Sequence, residues 1–427
     1  MRRRPRSRLL LIAAAVPFII ATGTSTTSTS YDYDVFVIGG GSGGLACAKE
    51  AARLGARVGL CDFVRPSPHG TTWGIGGTCV NVGCIPKKLM HRAAQLRQIL
   101  EDDAPTYGYQ LDGLDGFATD GVEHDWPTLV GAVQQHVKSL NFGYRTALSD
   151  AGVTYVNARG TLAGGHNVHL APSSPKQPAR TVSARHIVLA VGGRPRVPAS
   201  LARAAEGGGR VITSDDLFSL KVPPGRTLVI GGGYVALECA GFLASLGFDV
   251  TVLLRSVPLR GFDRECAERV LASVEAADPN LAASAISGVA RAGLEPQAVP
   301  TAVFTPSEYA CVGLSEEEAR TALGDANLEV YLAEATPLEH APVDGRSGQR
   351  LFVKLLCDKA REERLVGVHV VGEGASEIVP GYALALRLGV TKAQLDSTIG
   401  IHPTCGEELT TMRVTRRSGE SLAKKGC

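Results

Sequence analysis

The chain has 427 residues, of which 44% are hydrophobic, 20% charged and 5% aromatic, with 50 glycines. That length and balance give enough apolar material for about three domains and exclude disorder, collagen and coiled coil. The net charge is +2, but Arg2, Arg3, Arg4, Arg6 and Arg8 crowd the first 31 residues, leaving 39 basic against 42 acidic residues in the body; a near-neutral body poor in aromatics does not fit a nucleic-acid partner.

The arginines are followed by an apolar run, 9–21, and a Thr/Ser-rich stretch, 22–30. Thirteen residues rise about 20 Å as a helix, short of a ~30 Å hydrocarbon core, so no membrane anchor is expected. Basic head, apolar middle and small-residue tail fit a secretory signal; the abundance of hydroxyls and lack of acids also fit a mitochondrial transit peptide. Either way, the fold is expected to begin near Tyr31.

Residues 34–38 read as a strand, Gly39-Gly-Gly41-Ser42-Gly43-Gly44 as a glycine loop, 45–54 as a helix and 57–61 as a second strand ending at Asp62. Glycines permit a tight turn and close approach of a pyrophosphate to the helix N-terminus, where free N–H groups attract anions, and an acid at the second strand end suits an adenosine ribose. A glycine loop alone is a weak signal. With strand, helix, strand and acid in order, it predicts a dinucleotide fold.

Next comes Gly76-Gly77-Thr78-Cys79-Val-Asn-Val-Gly-Cys84-Ile-Pro-Lys87-Lys88. Of the ten cysteines only Cys79 and Cys84 form a close pair that stands out; Cys47, Cys61, Cys239 and Cys357 sit in apolar runs as core thiols, and nothing has zinc spacing, so no metal is expected. Five positions of regular helix rise about 7.5 Å, whereas a disulfide needs Cα atoms within about 6.8 Å. A Cys79–Cys84 bond therefore needs a distorted helix start, which Gly83 permits. Two unrelated buried thiols are the alternative; the glycine-rich turn and two lysines favour redox work and an acidified thiol.

Residues 161–170 read as part of a hairpin and 185–191 as a buried strand ending at Gly192. Residues 226–230 are a further strand, leading into Gly231-Gly-Gly233-Tyr234, a helix to Leu246 and a strand at 249–254. Arg255 and Arg260 follow where an acid would read a ribose, which suits the 2′-phosphate of NADP. Between 263 and 300 there are only a helical pattern, 264–276, and an Ala-rich stretch, 281–293, with no adequate strand. A complete domain has two βαβαβ halves, so this second one is read as cut short.

After Pro300, a capping box at Ser315–Glu318 starts a helix. Strands at 329–332, 351–357 and 365–371 and a helix at 375–388 imply an antiparallel sheet flanked by helices. His402-Pro-Thr-Cys-Gly-Glu407 supplies a proton acceptor with a carboxylate to orient it.

The cysteine motif, preceded by Gly-Gly-Gly-Ser-Gly-Gly-Leu-Ala-Cys-Ala-Lys-Glu, resembles the pyridine nucleotide–disulfide oxidoreductases. Among these it is similar to the large, selenocysteine-type thioredoxin reductases, particularly the mitochondrial form, over most of 32–265 and 300–427. The resemblance implies a homodimer that uses FAD and NADPH to reduce thioredoxin. It makes Cys79 the interchange thiol, Cys84 the thiol beside the flavin, and Lys87, paired with Glu238, the cation at the flavin N5 edge. Gly77, Thr78, Lys88 and Gly192 join the flavin contacts, and Gly231, Gly233, Tyr234, Arg255 and Arg260 serve NADPH. His402 and Glu407 act on Cys79 of the opposite subunit. It also turns the expected compartment to the mitochondrion.

The tail ends at Cys427, where selenocysteine follows in those proteins, so a UGA codon read as stop is expected; the Gly-Cys tail argues against the alternative of a glutathione reductase. The family's Ala-Ile-Gly-Asp strand end is absent, which keeps an inactive scaffold from an altered transcript as a further alternative. The expected fold is α/β: a targeting segment 1–31, two Rossmann-like dinucleotide-binding domains (FAD, 32–205; NADPH, incomplete, 206–299), and a C-terminal α+β dimer-interface domain with a redox tail, 300–427.

Overall fold

The computed structural model describes residues 30–109, 123–205, 210–277, 284–285, 299–346 and 348–422. The leader and Cys427 lie outside the described residues.

The first unit opens with β1 (Tyr33–Ile38), α1 (Ser42–Arg53) and β2 (Val58–Asp62). Then come α2 (Gly77–Val82), α3 (Cys84–Gln98), the one-turn α4 (Ala104–Thr106) and α5 (Trp126–Asp150). Proline in the first turn starts α5, and its buried face repeats at Trp126, Val130, Val133 and Val137, the spacing of one helical stripe. Strands β3 (Thr154–Leu162), β4 (Asn167–Pro172) and β5 (Arg180–Leu189) complete the unit. β3-β2-β1-β5 form a parallel layer, and β4 joins the outer ends of β3 and β5 antiparallel, closing the sheet.

The hairpin expected at 161–170 is the β3–β4 turn. The strand at 185–191 is not buried as expected: it is the last part of β5, and Leu189 is 60% exposed. β5 pairs with β4 only through Ser183, so beyond that point it has β1 on one side and, among the described residues, no strand on the other.

After α6 (Ala202–Ala205) and α7 (Ser214–Leu217), the second unit contains β6 (Thr227–Ile230), α8 (Tyr234–Ser245), β7 (Val250–Leu254), α9 (Arg264–Ala277) and β8 (Ser284–Ala285). Its parallel sheet runs β6-β7-β8. In a complete domain the first strand sits mid-sheet, flanked by the second half. Among the described residues β6 has one neighbour, and Leu228 and Ile230 are 56% and 51% exposed. One correction applies: the two-residue β8 pairs with β7 inside the Ala-rich stretch, where no strand was expected. A neighbour's edge needs only two residues to extend it, too few to register as a pattern.

The C-terminal unit is a five-stranded antiparallel sheet, order β11-β12-β13-β10-β9, from β9 (Thr301–Phe304), β10 (Glu308–Gly313), β11 (Leu328–Ala335), β12 (Leu351–Asp358) and β13 (Arg364–Val371). Ser315 caps α10 (Glu316–Leu323) through the expected capping box. β12 is buried along its whole length. Val353, Leu355 and Cys357 pack in one cluster with α11 (Ala375–Leu388), while Phe352 and Leu356 join the cluster that holds α8 and α9. The period of two therefore sends Lys354 toward α9.

There Lys354, fully buried, meets Asp263 (2.8 and 3.0 Å), Glu265 (2.9 Å) and Glu316 (3.0 Å). This cluster fastens the second unit to the C-terminal sheet. Removing one partner of a buried ion pair leaves an uncompensated charge, at about 3–5 kcal/mol. Lys354→Met should lower unfolding free energy in urea by about that much, and Lys354→Met with Asp263→Leu should lose less than the two single changes together. Strict additivity of the two would refute the coupling.

Candidate active site

The glycine loop and the cysteine segment are built against each other. Gly76 N–H donates to Gly40 O (2.9 Å), Gly41 and Gly76 form a parallel bridge, and a Cβ on Gly77 would lie 2.6 Å from Gly41 Cα. Gly76 and Gly77 have φ of +120° and +66°, so this contact requires glycine twice over. The Ser42 hydroxyl, at the start of α1, hydrogen-bonds the Cys79 sulfur.

Cys79 lies in α2 and Cys84 opens α3, with the break at Gly83 (φ −143°, ψ −120°) as the Gly83 argument requires. A Cβ there would stand 2.8 Å from Thr78 O. The two sulfurs are free thiols within hydrogen-bonding reach. The expected acidification is not present: burial, then the neighbouring Cys84 thiol, pushes Cys79 up to about 11. The lysines are spent elsewhere. Lys87 Nζ, buried, lies 2.8 Å from Glu238 Oε1 in α8, and Lys88 reaches Glu308 in β10 at 3.4 Å. Both ammonium groups stand over the Phe304 ring, at 4.0 and 3.9 Å.

Two helix starts led by glycine could hold a nucleotide. α1 begins at Gly41 without a side-chain cap or an acid in its first turn, which leaves its N–H groups available to an anion. A Cβ on Gly44 would fall 1.9 Å from Gly39 O. Asp62 accepts from Gly40 N–H through Oδ1 (2.9 Å), and burial raises its carboxyl. In the second unit Gly233 leads α8 in the same uncapped way, Gly231 has φ +142°, Tyr234 is half-exposed, and Arg260 hydrogen-bonds Ser256 beside exposed Arg255. Gly43 lies in the first turn of α1; Thr78, in α2, and Gly192, in the turn after β5, are exposed.

His402 and Glu407 come together, Nδ1 to Oε1 at 2.9 Å, with His402 largely exposed. Three residues escaped the sequence reading. Glu308 joins α3 to α11, accepting from Ser376 N–H (3.2 Å) and Oγ (2.7 Å), with His91 Nε2 at 3.7 Å; Asn81 and Asn141 bond each other beside the cysteines. Asn81 stands within the cysteine motif, but its partner is 60 residues on, and no local signal joins them.

Burial pushes the Glu308 carboxyl up, but the contacts of His91, Ser376 and Lys88 outweigh it and leave it at about 2, against an ordinary 4.5. A depressed carboxyl stabilises the fold in full above its unfolded value and loses that contribution as pH falls through its folded one. The stability gap between the natural chain and Glu308→Gln, from urea unfolding, should be flat above about pH 4.5 and close toward pH 2; it is worth roughly 3 kcal/mol. A gap that widens on acidification would refute this.

The comparisons with known proteins agree with this geometry. The family model described as pyridine nucleotide-disulphide oxidoreductase matches residues 33–283, and that of the family's dimerisation domain matches 299–413. The chain is 40% identical to thioredoxin reductase SEP1 of Emiliania huxleyi, over 92% of this chain and 97% of that one. The match spans 499 positions, although 92% of this chain is about 393 residues, so roughly a hundred positions have no counterpart here. By these matches and by its paired cysteines against a dinucleotide loop, the chain belongs to the pyridine nucleotide-disulphide oxidoreductases.

Proposed function

We propose that the chain is a homodimeric flavoenzyme that passes electrons from NADPH through FAD and the Cys79/Cys84 pair to the disulfide of thioredoxin. The observation that carries this reading is the seating of the cysteine segment, through Gly76 and Gly77, directly on the first glycine loop, with Cys79 and Cys84 either side of the Gly83 break. The name of the Emiliania huxleyi relative supports the choice of substrate.

The residues present fit FAD: the uncapped start of α1, glycines whose Cβ would collide with backbone, and Asp62 at the ribose end. FAD bound there supplies the transfer of an electron pair from the nicotinamide to the disulfide. This chain's own residues do the rest. Lys87, held by Glu238, places a buried cation in the first turn of the helix that Cys84 opens. Reduced Cys79 loses its proton to His402 of the partner subunit, whose imidazole Glu407 orients. The Cys79 thiolate attacks the thioredoxin disulfide, releasing one thioredoxin thiol; Cys84 then displaces the second, so two electrons leave the pair and the Cys79–Cys84 bond forms. Placing an imidazole beside Cys79 would lower a thiol that burial otherwise keeps near 11.

Dimerisation is supported by the dimerisation-domain match and by exposed apolar side chains within the matched residues: Leu388 is 73% exposed, and Ile399 and Ile401, next to His402 in the chain, are 94% and 77% exposed. For NADPH the second unit offers, among the described residues, one half of a nucleotide fold, in which Gly231, Gly233, Arg255 and Arg260 would hold its phosphates. The open β6 edge favours a second reading, a flavin-binding scaffold that NADPH does not reduce.

Isolation of the full chain tests both. A yellow protein bleached by NADPH, with Cys79→Ser and Cys84→Ser each abolishing thioredoxin reduction while flavin content stays level, supports the enzyme. A yellow protein that NADPH leaves oxidised supports the scaffold, and a colourless one overturns both readings. For the compartment we propose the mitochondrion; imaging residues 1–31 fused to a fluorescent protein should show mitochondrial import, and entry into the endoplasmic reticulum would overturn it.

A further inference from the structure

The helix that presents Cys79 is short. α2 has six residues, starts at Gly76 without a side-chain cap and stops at Gly83. A helix of that length does not hold itself in water. Its neighbour α3 is fixed by the buried Lys87–Glu238 pair; α2 must be fixed by something else.

Two side-chain amides do this. Asn81, two residues after Cys79 and 2% exposed, donates from Nδ2 to Gly77 O (2.9 Å) and Gly74 O (3.2 Å). Its Oδ1 accepts from Nδ2 of Asn141, in α5, at 3.0 Å, and the same Nδ2 donates to Ile75 O at 2.6 Å. Loop 74–77, the first turn of α2 and the long helix α5 are thereby tied together. The fit is close: a Cβ on Gly74 would lie 2.5 Å from Asn141 Oδ1. The same loop carries Gly76 and Gly77, which touch the nucleotide loop.

We propose that Asn81 and Asn141 are positioning residues for the redox pair, holding Cys79 within reach of Cys84 and so setting how readily their disulfide closes. The inference rests on the reading of Cys79 and Cys84 as a redox centre. Unbroken helix would carry the two Cα atoms beyond disulfide range, about 7.5 Å against 6.8 Å. The Gly83 break removes that obstacle only while both flanking helices keep their places. If α2 frays, Cys79 samples positions from which no bond forms, and the effective concentration of one thiol at the other falls.

Equilibration of the full chain with glutathione reads this directly. The Cys79 and Cys84 thiols give two electrons and two protons to one glutathione disulfide, which becomes two glutathione molecules, while the Cys79–Cys84 bond forms. Acid quenching, alkylation and mass spectrometry of the peptide give the equilibrium constant. Asn141→Leu removes the amide at similar volume; Asn141→Asp and Asn81→Asp keep its shape without the N–H donors and carry the test if the first does not fold. Each should lower the constant about tenfold, the worth of one or two hydrogen bonds. Thr146→Val, on the exposed side of α5, should leave it unchanged. A constant within twofold of the natural chain in the folded Asn variants overturns the proposal. A natural chain that forms no Cys79–Cys84 disulfide at any glutathione ratio overturns instead the redox reading beneath it.

Discussion

One carboxylate oxygen holds the redox centre in register with the rest of the chain. Glu238 Oε1 accepts from Lys87 Nζ (2.8 Å) and from the Phe304 N–H (2.9 Å), joining α3 of the first unit, α8 of the second and β9 of the third. Buried charges are tolerated only when paired and hydrogen-bonded. Neither Lys87 nor Glu238 can therefore move without exposing the other, and the helix that begins at Cys84 takes its position from that constraint. The same commitment bears on Cys79, whose thiol burial pushes up. Lys87 answers Glu238 and Lys88 answers Glu308, so neither lysine of the cysteine motif is given over to a Cys79 thiolate.

A second buried cation does comparable work at the other end of the molecule. Lys354 sits among Asp263, Glu265 and Glu316, so α9 lies on the C-terminal sheet with its charges matched. That contact matters more because the second unit is small. Among the described residues its three-stranded sheet leaves β6 as an edge with exposed apolar residues, a surface that proteins ordinarily cover or charge.

Much of this was legible from residue order alone. Both βαβ openings, the glycine loops, the capping box at Ser315, the break at Gly83 and the His402–Glu407 pair all follow from local patterns. Each depends on residues within a few positions, where sterics or a single hydrogen bond decides the outcome. The Lys87–Glu238 pair spans 151 residues and came from resemblance to a family, not from the spacing of the two residues.

What the sequence by itself determined, then, was the set of chemical parts: paired thiols, helix starts led by glycine, a histidine with its carboxylate, and a second run of strand, glycine loop, helix and strand. Only the tertiary structure decided how those parts act on one another. It paired both lysines with carboxylates, half-buried Cys79 so that its proton is held more tightly, and, among the described residues, left β5 and β6 with open edges. It also brought Asn141 to Asn81 and Lys354 to Asp263, across 60 and 91 residues. The reason is physical: burial, and the pairing that burial demands, is set by whatever lies across the gap between elements, and residues that meet there carry no mark of it in their own neighbourhood.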